Sequence, residues 1–151
     1  MIAYEVIDAI CDAVNPALFI VAIGIAGFHC LKKNYKYSLF VGMAILYGLF
    51  VTYGILLIDT KIHLWKRMGM DYSTHTAFAF SMCFVIAVFL RKPMLMSTVF
   101  TGYILAMLYQ KYHTVADIFT TIFALSLLIA PLFILVKRYC KKTKILHADH
   151  L

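Results

Sequence analysis

SLFVGMAILYGLFVTYGILLI, residues 38–58, runs for twenty-one positions without a charged side chain. A helix rises about 1.5 Å per residue, so this stretch reaches across the roughly 30 Å hydrocarbon layer of a bilayer. Four more apolar runs flank it, at 16–31, 75–90, 94–109 and 115–136. Some fall short of a full crossing, which predicts local thinning of the bilayer or burial of helix ends inside the bundle. Across 151 residues the chain is 64% hydrophobic and only 14% charged, outside the range of soluble domains. The expected fold is all-α, a polytopic membrane bundle of five spans forming one integral domain over residues 1–151.

Ahead of the first run, Ile2, Ile7 and Ile10 share a helical face while Glu5, Asp8 and Asp12 lie largely opposite. This amphipathic pattern predicts an interfacial helix over 1–15, then a transmembrane core over 16–136 and a basic tail over 137–151. The N-terminal segment is acidic and lacks the basic start of a cleavable signal peptide. Cys11, Cys30, Cys83 and Cys140 form no CxxC pair, so packing is expected of them rather than disulfide or zinc chemistry.

The net charge of +7 is bunched between apolar runs, which argues for topology rather than nucleic acid. KKNYK, RKP and KRYCKKTK follow the first, third and fifth runs and carry ten of the fourteen Lys and Arg residues. With five spans these segments share one side, and the positive-inside rule makes that side cytoplasmic. The expected location is a bacterial inner (cytoplasmic) membrane, N-terminus outside and C-terminus inside. Lys61, Lys66, Arg67 and Lys111 then face outward with six of the seven acids.

Two helix mouths on that outer face carry ionisable groups where apolar residues would serve: MDYSTHTAFAF, residues 70–80, and YQKYHTVADIF, residues 109–119. Ionisable groups near membrane depth are costly and usually functional. His113 and Asp117 stand four apart, on one helical face, where the carboxylate can accept a hydrogen bond from one imidazole nitrogen and leave the other free. Ser73 also has the grammar of a helix N-cap. His63 and Trp65, in KIHLW, read as interfacial, Trp65 as an anchor.

A basic loop, a Ser-x-His helix start and an HxxxD helix start, in that order, resemble the type 2 phosphatidic acid phosphatase superfamily. Its motifs are KxxxxxxRP, PSGH and SRxxxxxHxxxD. Ser73-Thr74-His75 stands at the second motif and AMLYQKYHTVAD at the third. STHT and YHTVAD are also similar to the SGHT and HYTxD motifs of the sphingomyelin synthase branch. Tyr72 and Thr74 replace the proline and glycine, and Ala106-Met107 replaces Ser-Arg. Lys61 and Arg67 are separated by five residues rather than six, with no following proline.

The resemblance implies a membrane phosphatase for a lipid phosphate or diphosphate, polyprenyl or glycerolipid, with no metal or other cofactor. His113 would be the nucleophile, Asp117 its partner and His75 the general acid. Lys61, Lys66, Arg67, Ser73, Thr74 and Lys111 would hold phosphate oxygens. Headgroup transfer, a nonenzymatic scaffold and a metal-dependent hydrolase using His75, His113 and Asp117 stay open as alternatives. The expected partners are the lipid substrate and the bilayer, not nucleic acid. Nothing in the sequence fixes an oligomeric state.

Overall fold

The computed structural model describes residues 2–142. Among them six helices and no strand appear: α1 (Ile2–Leu31), α2 (Tyr35–Ile62), α3 (Leu64–Arg67), α4 (Thr74–Leu90), α5 (Pro93–Tyr109) and α6 (Val115–Lys142). The end of the basic tail, from residue 143, lies outside the described residues.

Two boundaries differ from the sequence reading. The interfacial segment and the first span form one helix, although Pro16 lies inside it. Pro16 lacks the N–H that would reach the Asp12 carbonyl. Yet Cys11, Leu18, Ala22 and Ile25 are all buried, a seven- and four-spaced stripe that continues through the proline and packs both halves on the same neighbours. The last helix runs past residue 136 to Lys142, because Lys and Arg are good helix formers and nothing in KRYCKK stops the turn. A four-residue helix, α3, also interrupts the long loop.

Each chain reversal has a local cause. Lys33, His63, Arg91 and Lys111 take left-handed backbone, which ends a helix where the next residues turn back. Asn34 caps α2 by accepting from Tyr37 N, and Pro93 starts α5 where a missing N–H is harmless.

α4 is the centre, touching α1, α2, α5 and α6. It meets α2 through small residues: a Cβ on Gly48 would stand 3.2 Å from Ser81 Cβ, and Thr52 Oγ1 lies 3.1 Å from Ser81 Oγ. Small residues four apart, Gly48 and Thr52 against Ser81 and Ala77, let backbones approach as in membrane helix pairs.

The outward faces are as apolar as the inward ones. On α2, Tyr37, Val41, Ala44, Gly48 and Val51 are buried, while Leu39, Leu46 and Phe50 on the far side are 63%, 67% and 74% exposed. A helix apolar all round needs an apolar surrounding. Two helices, Glu5–Leu31 and Tyr35–Ile62, are long and apolar enough to cross a membrane. Thr74–Leu90, Pro93–Tyr109 and Val115–Pro131 are apolar but shorter, about 25 Å at 17 residues.

Candidate functional site

The site begins where α4 begins. Ser73 Oγ accepts from Thr76 N at 3.3 Å and donates to Thr76 Oγ1 at 2.8 Å. Ser73 N donates to Thr121 Oγ1 of α6 at 3.1 Å. With its side chain fully buried, Ser73 sets the helix start as an N-cap. Its hydroxyl is occupied by Thr76, as the cap reading expects.

Thr74 and His75 follow on the rim of an open groove of about 500 Å³ between α1, α2 and α4. Asp12, Asn15 and His75 line one end of it, Phe19 and Phe78 the other, one helical turn further along α1 and α4. The two rings meet edge to face, 6.0 Å between centroids.

α6 starts with a reciprocal cap. Asp117 N donates to Thr114 Oγ1 at 3.2 Å, and Thr114 N donates to Asp117 Oδ2 at 2.8 Å. The other carboxylate oxygen, Oδ1, accepts from Asp71 N at 2.7 Å. One buried carboxylate therefore ties the loop that leads into α4 to the first turn of α6, and this tether brings the two helix mouths together.

His113 Nδ1 lies 3.9 Å from Asp117 Oδ2, within ion-pair range but beyond a hydrogen bond. The expected imidazole–carboxylate hydrogen bond is thus not formed, because both oxygens are aimed at main-chain amides. Burial holds the His113 imidazole below its ordinary range; Asp117 draws it up, His75 pushes it down and Asp71 draws it up. Burial prevails, and a neutral imidazole is favoured near neutral pH. The bond from Asp71 N to Asp117 brings the loop that precedes His75 to the helix start that follows His113.

The expected cations ring this cluster without touching it. Lys61 ends α2, Lys66 and Arg67 lie in α3, and Lys111 precedes His113 by two residues; all four are exposed. Their side chains make no hydrogen bond or ion pair among the described residues. At the position of the motif arginine, Met107 is 1% exposed, and its sulfur lies 3.9 Å from Thr76 Oγ1. That position is core. Among the described residues no three His, Cys, Asp or Glu side chains group as metal ligands.

Three contributions were not read from the sequence. Asn15 of α1 reaches His75, with Nδ2 3.4 Å from the imidazole Nδ1. Tyr112 donates its hydroxyl proton to the Asp8 carboxylate, joining α1 to the loop that carries His113. Trp65 is no interfacial anchor: it is 5% exposed, its indole N–H donates to Thr120 Oγ1 at 3.0 Å and its ring meets Tyr72 edge to face. An indole finds burial comfortable once its one N–H has a partner. A polar residue of α1 facing inward beside Cys11 and Leu18 was the available signal for Asn15. No family model, no curated protein and no solved structure matches this chain.

Proposed function

We propose that the chain is a membrane-embedded phosphatase that hydrolyses a lipid phosphate or diphosphate through a phosphohistidine. One observation carries the reading: two separate helix mouths, each bearing a histidine, meet at one end of the bundle around a buried carboxylate. The motif order resembling the type 2 phosphatidic acid phosphatases supports it. The apolar outer faces, among them Leu46, Phe50 and Phe119 at 67%, 74% and 69% exposed, support a five-span bundle. The uneven spread of basic residues supports an outward-facing site in a bacterial inner membrane, with the C-terminus cytoplasmic.

In this scheme Nε2 of neutral His113, the nitrogen turned away from Asp117, attacks phosphorus. The N–P bond forms as the P–O ester bond breaks; its electron pair leaves on oxygen, which takes a proton from His75. Asp117 stabilises the positive charge left on His113 through space. A water molecule then attacks phosphorus, passes its proton to His75, and the N–P bond breaks to release phosphate and neutral His113. Lys61, Lys66, Arg67 and Lys111 neutralise the non-bridging oxygens, with help from Thr74 and the free amides at the start of α4.

The test is to incubate purified protein with a panel of lipid phosphates and diphosphates, measuring free phosphate and transferred headgroup separately, with and without EDTA. Release of phosphate that survives chelation is expected, and His113→Ala should abolish it. Full activity in His113→Ala would end this reading. Loss on chelation with recovery on added zinc would replace it by a metal-dependent hydrolase.

A further inference from the structure

The side chain of Asn15 does more than α1 packing requires. Its Nδ2 lies 3.4 Å from His75 Nδ1, 3.4 Å from the His75 carbonyl oxygen and 3.3 Å from Tyr103 Oη. Its Oδ1 is buried and has no hydrogen-bond partner among the described residues. Two donated protons thus face three acceptors, and an acceptor stands idle beside them. An amide places a donor and an acceptor at the two ends of one planar group, so a half-turn exchanges them. In the recorded orientation it serves an imidazole bare at Nδ1. After the half-turn Oδ1 would accept from a protonated Nδ1 and from the Tyr103 hydroxyl.

We propose that Asn15 is the positioning residue of His75: with the amide turned so that Oδ1 accepts from Nδ1–H, Nε2 alone is left to give and take the proton. The inference rests on the phosphatase reading for its kinetic consequence but not for the contact itself. His75 is exposed at the groove rim, where nothing else among the described side chains holds its ring. Tyr103, 5% exposed and rooted in α5, anchors the amide from behind. Three helices, α1, α4 and α5, therefore fix one imidazole. Tyr103 makes the arrangement harder to dismiss as a chance surface contact, since its buried hydroxyl meets Asn15.

Two arms test it. In detergent, with ¹⁵N-labelled histidine, Asn15→Leu should move the His75 Nδ1 resonance and leave those of His113 nearly in place. An unmoved His75 resonance overturns the proposal, whatever the protein's activity. In the kinetic arm, a proton-requiring alkyl phosphate is compared with nitrophenyl phosphate, whose leaving group needs little help. Asn15→Leu should lose about 10²-fold in kcat on the alkyl phosphate, the scale of a misplaced catalytic group, with KM little changed. It should lose far less on the nitrophenyl ester, and nothing further in a His75→Ala background. Tyr103→Phe, a milder change, should show the same split at smaller size. Asn15→Asp, which keeps an acceptor for Nδ1–H, should recover alkyl-phosphate turnover relative to Asn15→Leu. Equal losses on both substrates, or an Asp variant no better than Leu, would leave Asn15 a packing residue and overturn the proposal. A wild-type protein that turns over neither substrate would remove the phosphatase reading instead, and the resonance arm alone would then decide Asn15.

Discussion

The two ends of the bundle face the same task, stopping helices and turning the chain, and solve it with different chemistry. At the end holding Lys32 and Lys33, two fastenings are neutral hydrogen bonds. Tyr37, 1% exposed, donates its hydroxyl proton to the Phe89 carbonyl at 2.7 Å and stacks between His29 and Phe89. Ser38 donates to the Ala26 carbonyl at 2.8 Å. Lys32 and Lys33 there are exposed. At the other end two fastenings are carboxylates, Asp117 to Asp71 N and Thr114 N and Asp8 to Tyr112, beside neutral ones such as Ser73 to Thr121 and Trp65 to Thr120. A carboxylate held at 5% exposure needs every one of its hydrogen bonds, and Asp117, beside the two histidine-bearing helix mouths, is the physical argument for chemistry at the second end.

Removing the central fastening at each end should break this contrast most sharply. Asp117→Ala deletes acceptors for Asp71 N and Thr114 N, both charge-assisted, at about 3 to 5 kcal/mol of stability. Denaturation followed in detergent measures it. The site loop should open along with α6, so hydrogen exchange at Asp71 and Thr114 should accelerate together. Tyr37→Phe removes one neutral hydrogen bond at about 1 to 2 kcal/mol and should leave activity alone. A similar cost for both would mean that the carboxylate is no more than another cap.

Acidification should act on the site end through His113. The fold holds His113 below its ordinary value near 6.5, so below that pH the unfolded chain binds a proton that the native site resists. The stability contributed is fully present above about pH 6.5 and is lost as pH falls toward the folded value. Activity should follow the same direction, since a protonated His113 cannot attack phosphorus, and the acid limb of the rate should lie below about pH 6.5. His113→Gln should flatten the stability change. A stability profile in which His113→Gln behaves as wild type would place the titration on another group.

How much of this was legible follows the range of the signal. The five long helices came from apolar runs, and α4 and α5 start within one residue of the spans read from sequence, because Ser73 and Pro93 mark them locally. His75, His113 and Asp117 were legible as ionisable groups in apolar context. The contacts between segments were not. Whether Asp117 spends its oxygens on His113 or on the amide of Asp71, forty-six residues away, depends on how α4 and α6 cross. Asn15 meets His75 across sixty residues only because α1 continues straight through Pro16, and the proline argued locally for a break. Trp65 looked interfacial because the loop around it is basic, and only Thr120 on a distant helix gives its N–H a buried partner.

The smallest effect is the most selective probe of the two ends. Lys33 and Lys111 occupy matching positions: each follows the end of a helix, and each has left-handed backbone, with φ of 60° and 58°. That conformation strains a side-chain-bearing residue by about 1 to 2 kcal/mol, which glycine would relieve. Against the relief stand the added freedom of an unfolded glycine, about 0.5 to 1 kcal/mol, and the loss of a cation at a helix C-terminus, about 0.3 to 1 kcal/mol. These oppose one another, so Lys33→Gly and Lys111→Gly should each shift the unfolding midpoint little, and by similar amounts. Their consequences for turnover should part. Lys33 turns the chain at the neutral end, and its replacement should leave phosphate release as it was. Lys111 stands two residues before His113, exposed and unpaired, where a cation can reach a phosphate oxygen while the core position of Met107 offers none. Lys111→Gly should therefore raise KM for a lipid phosphate by about tenfold, the worth of one charge-assisted contact of about 1.4 kcal/mol. Lys111→Arg should restore it despite keeping the strained backbone. Identical turnover in the two glycine variants would reduce Lys111 to a residue that bends the chain, and would shift the search for phosphate-binding charge to Lys66 and Arg67 on α3.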